Sequence, residues 1–249
     1  PALREYFSNP ALMQVYRDEL SKFADITPYQ QELNAAGETA KKYFPQKDLP
    51  KLGLHVSGYK ENVIILYDQI SVSADKYLGY DYSGYMSFFQ PYERQQMQPQ
   101  YLIRDFMKAW LLSENIIKIA PNEGKNLLMA MIEEGKILYA LSELLPDKSD
   151  EDIIGYTSSQ WDWCKNNEKK IWQAIVKQNH LFSTDHMLIT RYINNAPVTS
   201  PVDAASPGRV GAWVGWQIVK QYAQKKHMEL VEIIGTDTQT ILKNSKYNP

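Results

Sequence analysis

The segment NLLMAMIEEGKILYALSELL, residues 126–145, has the periodicity of one amphipathic helix. At 100° per residue its apolar arc is formed by Leu127, Met131, Gly135, Leu138 and Leu141. Glu134 falls inside this arc, whereas Glu133 falls on the opposite, polar side of the helix. A lone buried carboxylate is costly, so the pattern predicts that Glu134 has a partner elsewhere in the chain.

A second helical segment, YLIRDFMKAW at residues 101–110, offers candidate partners. Arg104 and Lys108 lie one turn apart with Asp105 next to Arg104, which is the spacing of a His-Glu-x-x-His motif with each chemical residue replaced. In one interpretation Glu134 faces Arg104, Lys108 or both across two packed helices, as an ion pair in a vacated metal site. In the other, the cations lie at the surface and Glu134 is a solvated residue at the edge of an apolar stripe.

Helical patterns dominate the rest of the chain. Helices are predicted for ALMQVYRDELSKF, for YQQELNAAGETAKKYF, and over residues 100–113, 125–145, 158–178, 184–193 and 209–226. One strand is predicted in NVIILYDQISVSA, residues 62–74, with Gly58 as a turn before it. No linker is visible. The predicted fold is a predominantly helical α+β domain with a small sheet, spanning residues 1–249, on which a helical segment at residues 1–50 packs.

Composition excludes several classes of protein. The net charge is −2, and the basic residues are scattered, so nucleic-acid binding is not predicted. Cys164 is the only cysteine, which excludes intramolecular disulfides and cysteine-rich zinc modules. No run of eighteen apolar residues occurs. The first residues lack an initiator Met and a signal sequence, so we expect a mature or trimmed chain.

No catalytic nucleophile or intact metal motif is evident. The four histidines show no two-ligand spacing, and the segment HLFSTDH is better explained as a helix cap than as a metal site. Cys164 lies on an amphipathic pattern without a His partner, which predicts a buried structural thiol. We therefore predict no catalytic residue, no metal and no cofactor.

Two aromatic and glycine-rich segments could line a cleft. Tyr80, Tyr82 and Tyr85 lie in a Tyr-rich loop, and Trp213 follows Arg209 in SPGRVGAWVGW. The preceding stretch APVTSPVDAASPG, residues 196–208, is long for a connector, and Arg209 at its end could point into the cleft opening. The alternative is that these aromatic residues are core and the loop is an ordinary surface connection.

Six segments, in order, carry a resemblance to a known family. They are YLGYDYSGY, MQPQYLIRDFMKAWL, MIEEGKILYALSELLP, IGYTSSQWDWCKNNEKKIW, SPGRVGAWVGWQIVKQY and ILKNSKYNP. Together they resemble GldB, the gliding-motility-associated lipoprotein family of Bacteroidetes. That family is similar in turn to predicted zinc peptidases, so the resemblance implies a zincin-like fold.

The resemblance also implies a degenerate metal site. Arg104 and Lys108 stand where the two histidine ligands would be, Asp105 stands where the general-base Glu would be, and Glu134 with Gly135 matches a Glu-Gly motif. Arginine keeps its proton, and lysine has no lone pair until it loses one, so neither is a metal ligand here. Only Glu134 would remain of a three-ligand set, and one carboxylate does not hold zinc.

The resemblance implies a lipoprotein of the cell envelope, anchored through a cysteine upstream of Pro1, but it does not by itself supply a biochemical activity. We expect a non-catalytic, periplasm-facing protein that binds or scaffolds another envelope protein. Two alternatives stay open. One is a peptidase-like hydrolase with an unrecognised site, and the other is a binder of peptidoglycan or another extracytoplasmic polymer.

Overall fold

A computed structural model describes residues 8–60 and 62–249 of the protein. The chain divides into two compact units, residues 1–113 and residues 114–249. The predicted fold class, a predominantly helical α+β fold with a small sheet, is confirmed. The single domain over residues 1–249 stays a prediction, and residues 1–7 of the helical segment at 1–50 lie outside the described residues.

The first unit combines helices with the sheet. Its elements are α1 (Pro10–Lys22), α2 (Thr27–Tyr43), β1 (Lys51–His55), β2 (Val63–Ile65), β3 (Gln69–Ser73), α3 (Pro91–Arg94) and α4 (Leu102–Ser113). Asn9 caps α1, because its side chain accepts hydrogen bonds from the backbone N–H groups of Ala11 and Leu12. The two N-terminal helices are therefore where periodicity predicts them.

The sheet differs from the one predicted strand. Residues 62–74 form two antiparallel strands, β2 and β3, joined by a turn in which the N–H of Leu66 donates to the carbonyl of Gln69 at 2.8 Å. Asp68 lies in this turn, where a short polar side chain is favoured. The prediction of a single strand over these residues was therefore wrong. Gly58 has a left-handed φ of 67°, which confirms the turn expected there.

The third strand, β1, pairs in parallel with β3, from Lys51 opposite Gln69 to His55 opposite Ser73. Its central residue is Gly53. Glycine is unfavourable inside a strand, so no strand was predicted for this segment. A Cβ atom at Gly53 would lie 1.8 Å from the side-chain nitrogen of Gln69, so the glycine leaves room for that neighbour. The central strand is thus β3, and β1 and β2 are the edges.

The second unit is entirely helical in its regular structure. Its helices are α5 (Leu127–Leu144), α6 (Asp150–Ile154), α7 (Ser158–Asn166), α8 (Glu168–Lys177), α9 (His186–Ile193), α10 (Val210–Lys226), α11 (Leu230–Gly235) and α12 (Thr238–Ser245). The helix predicted over 158–178 is interrupted at Asn167, whose side chain donates to the carbonyl of Trp163 at 2.8 Å. Asp185 caps α9, which confirms a cap in HLFSTDH. In the described residues, no helix is both long and apolar enough to cross a membrane.

The core of the second unit is built on a close crossing of α5 and α10 at two glycines. A Cβ atom added to Gly135 would lie 2.4 Å from the carbonyl carbon of Gly215. One added to Gly215 would lie 1.7 Å from the carbonyl oxygen of Met131. Real side-chain atoms do not approach backbone this closely, so the two helices can meet only because both residues lack a side chain.

The substitution Gly215→Ala should therefore lower the free energy of unfolding by about 3 kcal/mol, because the helices must separate to admit a methyl group. Gly235→Ala is the matched control, since a Cβ atom added there would have no atom within 4 Å and the φ of Gly235 is not left-handed. That control should change stability by less than about 1 kcal/mol. Urea unfolding followed by tryptophan fluorescence reports mainly on this unit, which holds five of the six tryptophans. Equal effects of the two substitutions would contradict the close crossing.

Candidate functional site

In the helical segment at residues 101–110, the arginine side chain is buried. Arg104 is only 6% exposed, although it is always charged. Its Nε donates to Asp105 Oδ1 at 2.8 Å, its guanidinium lies 4.2 Å from the centre of the Tyr101 ring, and Nη2 donates to Gln96 Oε1 at 3.3 Å. The cation thus has an ionic, an aromatic and a polar neighbour within its own unit.

Asp105 completes a small polar network. Its other oxygen accepts a hydrogen bond from the Tyr77 hydroxyl at 2.7 Å. Burial, and then the charge of Asp105, raise the pKa of Tyr77 well above its ordinary value, so the phenol stays a donor. Burial works to lower the pKa of Arg104, but the charge and hydrogen bond of Asp105 outweigh it and the pKa is raised. Arg104 therefore stays a cation and has no lone pair to offer a metal.

In the second unit, Glu134 pairs with Arg209. The distance from Arg209 Nη2 to Glu134 Oε2 is 3.4 Å, and both side chains are largely enclosed. Arg209 Nη1 also donates to the carbonyl of Ile154 at 2.9 Å. The sequence predicted a partner for Glu134, but it named Arg104 and Lys108, which belong to the other unit. That pairing across two helices stays a prediction.

Arg209 is held in position by the loop before it. The hydroxyl of Thr199 donates to the carbonyl of Pro207 at 2.8 Å and accepts from the N–H of Val210 at 3.2 Å. Ser206 donates to the carbonyl of Asp203 at 2.7 Å. Thr199 and Ser206 are buried, and Arg209 takes a left-handed φ of 61° ahead of α10. The loop is thus internally bonded, and it turns the Arg209 guanidinium inward.

Glu133 is enclosed as well, contrary to its predicted place on the polar side of the helix. Its carboxylate accepts from Lys125 Nζ at 2.7 Å and from the N–H of Ala120 at 2.9 Å. The Lys125 side chain is nearly buried. Helical periodicity could not show this partner, because the loop that carries Ala120 and Lys125 has no periodic pattern of its own. Glu133 therefore anchors the segment that precedes α5.

A cavity of about 660 Å³ lies beside this anchor. Its wall includes Ile117, Asn126, Met129, Glu133, Lys136, Phe182, Ile234, Thr236, Asp237 and Gln239. Lys136 donates to the carbonyls of Ile234 at 2.9 Å and Thr236 at 2.5 Å. Burial lowers the pKa of Lys136, and the charges of Glu133 and Asp237 oppose this shift. The size is that of a small-ligand site, and the mixed wall suits non-covalent binding.

The aromatic residues proposed for a cleft divide into two groups. Tyr85 and Trp213 are 0% and 1% exposed, so they belong to the cores of their units and are not available to an open cleft. Tyr80 and Tyr82 are half-buried; the Tyr82 hydroxyl donates to Asp18 at 2.8 Å, and Arg94 lies over the Tyr80 ring. A cleft role for Tyr80 and Tyr82 stays a prediction.

The single cysteine has a structural role and not a chemical one. Cys164 is buried as predicted, and burial raises the pKa of its thiol to about 12, against the opposing hydrogen bond of Tyr156. It is a neutral thiol at ordinary pH and a poor nucleophile. Across residues 8–60 and 62–249, no cluster of three His, Cys, Asp or Glu side chains is arranged to hold a metal ion.

The chain matches a known protein family over its full length. The sequence profile of a family described as Gliding motility protein GldB matches residues 1–249. No curated protein and no solved structure matches the chain. The family match spans both compact units and all six segments quoted above, whereas a zincin-like fold stays a prediction.

The network around Arg104 gives a test of stability. Asp105→Asn should cost on the order of 3 kcal/mol, because it removes a bonded counter-charge from a buried guanidinium. The matched control is Asp68→Asn in the same unit, which breaks the exposed pair with Lys51 at 3.2 Å and should cost less than about 1 kcal/mol. Unfolding would be followed by circular dichroism, with hydrogen exchange of residues 102–113 as a local readout. Equal, sub-kilocalorie costs for both substitutions would show that Asp105 does not balance Arg104.

Proposed function

This chain belongs to the GldB family of gliding-motility proteins, and we propose that it is a non-catalytic cell-envelope lipoprotein that binds or scaffolds another envelope component. One observation carries the proposal. The charged residues of both motif segments are engaged with protein groups, Arg104 with Asp105 and Glu134 with Arg209. Residues that would activate water or hold a metal in a peptidase are here used in internal pairs.

The electrostatics support the same conclusion. A general base needs a lone pair within reach of a proton on the substrate or on water. Asp105 accepts one hydrogen bond from Arg104 and one from Tyr77, so both of its oxygens already take part in an internal network. Glu134 faces a guanidinium whose second nitrogen is held by a backbone carbonyl. We infer that both motif segments are retained as structure, each within its own unit and each with an arginine beside its acid.

The family's profile carries a lipoprotein designation, which supports a lipid-anchored envelope location. We propose in addition that the anchor is a cysteine upstream of Pro1 and that the protein faces the periplasm. The partner is then another envelope protein. The cavity beside Glu133 and Lys136 provides a place where a partner side chain or small group could be received.

A second function has one specific observation in its favour. The Tyr-rich segment exposes Met86 and Phe88, and Phe88 is among the most exposed large apolar side chains of the described residues. Exposed aromatic rings stack on the faces of sugars, so this segment could hold peptidoglycan or another extracytoplasmic polymer. Sedimentation of the purified chain with isolated sacculi, compared with Phe88→Ser, separates this function from protein scaffolding.

The main experiment is complementation of a gliding bacterium that lacks its own member of the family. Glu134→Gln keeps the size of the side chain and removes its charge, so a scaffold present at wild-type levels should still restore gliding. Protein level in the envelope fraction would be measured by immunoblot for each strain. Glu143→Gln, at another half-buried acid of the same helix, serves as the matched control.

Loss of gliding with Glu134→Gln at normal protein level, together with hydrolysis of a peptide substrate by the wild type but not by the variant, would overturn the non-catalytic proposal. Loss of both protein and gliding would instead identify Glu134 as a stability residue. That outcome agrees with its pairing to Arg209.

A further inference from the structure

The outer edge of the sheet is open and apolar. Within residues 8–60 and 62–249, β2 pairs with β3 alone. The hairpin exposes Ile64 by 39%, Ile65 by 50% and Leu66 by 51%, and Tyr67 is fully exposed. Proteins usually protect a free edge by keeping its strand very short or by placing charged residues, prolines or bulges on it. Residues 62–67 contain no charge and no proline, so neither of these blocks pairing here, and the edge is limited only by the three-residue length of β2.

The backbone of β2 is arranged for one more strand. Antiparallel strands alternate residues that bond inward with residues that point outward. The N–H of Ser73 donates to the carbonyl of Asn62 at 2.9 Å, and the N–H of Leu66 donates to the carbonyl of Gln69 at 2.8 Å. Asn62, Ile64 and Leu66 thus bond towards β3. The amide and carbonyl groups of Val63 and Ile65 point to the open side.

We propose that two copies of this chain associate through their β2 strands, antiparallel, around a two-fold axis at Ile64. Val63 of one copy then lies opposite Ile65 of its partner, and the outward amides and carbonyls of both residues are satisfied together. Ile64 meets the same residue of the second copy as a non-hydrogen-bonded pair, in which side chains are closest. The three-stranded sheets join into one sheet of six strands.

A second copy fits this edge for reasons of symmetry and charge. The two outward-facing residues lie equally far on either side of Ile64, so the edge is complementary to itself in the antiparallel direction. Each cross-strand pair joins branched aliphatic side chains, which favour such positions. The net charge of −2 opposes association only weakly.

The contact is small, so the dimer should be weak. A three-residue strand and one turn cover less than the roughly 800 Å² per partner of a standard interface. Association should therefore depend on concentration in solution. Copies held on one membrane, as the proposed function has them, would meet at a higher effective concentration.

Sedimentation velocity on the purified chain, from low micromolar to several hundred micromolar, provides the test. The wild type should shift from monomer towards dimer as concentration rises. Ile64→Lys and Ile64→Glu should each be monomeric throughout, because like charges then meet at the axis. An equimolar mixture of the two variants should form a heterodimer. Leu20→Lys, at an exposed apolar residue of α1, is the control and should leave the dimer unchanged.

A wild type that stays monomeric at the highest concentration would overturn the proposal, as would a dimer that survives Ile64→Lys. Failure of the mixture to associate would overturn the two-fold pairing. Circular dichroism of each variant would verify folding. Binding of the wild-type monomer to phosphatidylethanolamine and phosphatidylglycerol vesicles, lost in Ile64→Lys, would assign the edge to a membrane and overturn the proposal. None of these outcomes depends on gliding, so failure here is distinguishable from failure of the proposed function.

Discussion

The close crossing of α5 and α10 at Gly135 and Gly215 is the constraint on which the second unit depends. Backbone meets backbone there, so neither helix can shift without opening the core. The crossing also fixes the residues beside it. Glu134 directly precedes one of the glycines, and Arg209 directly precedes α10. The ion pair between them is thus a consequence of helix packing, and the glycine of the Glu-Gly motif has a steric reason to be there.

The same reasoning applies to the charges of the first unit. A buried arginine is tolerated only with a counter-charge and hydrogen bonds, and Arg104 has both in Asp105 and Gln96. Such pairs need not add net stability, because desolvation offsets the attraction. Their effect is that the removal of one charged partner leaves the other partner buried without that compensation. A pair of this kind holds its charges without a bound ion, and it keeps the carboxylate engaged with neighbouring protein groups.

Sequence periodicity predicted the long helices well, because α5 and the predicted 209–226 segment have continuous amphipathic or buried patterns over four or more turns. It failed where the determining interaction is non-local. β1 contains Gly53, whose role is visible only beside Gln69, and α6 and α11, with five and six residues, are too short to show a period. The pairing of Glu134 with Arg209 joins residues far apart in the chain. Burial cost predicted that a partner exists, and only the packing of the helices identified it.

The most direct test of the proposed non-catalytic role is the metal content of the protein. Protein purified without chelator or added metal would be dialysed against metal-free buffer and analysed for zinc, and its unfolding midpoint measured with and without EDTA. If Asp105 and Glu134 are used in internal pairs with Arg104 and Arg209, zinc should be far below one equivalent and the midpoint should not change. One tightly held zinc per chain, whose removal lowers the midpoint, would contradict the non-catalytic role.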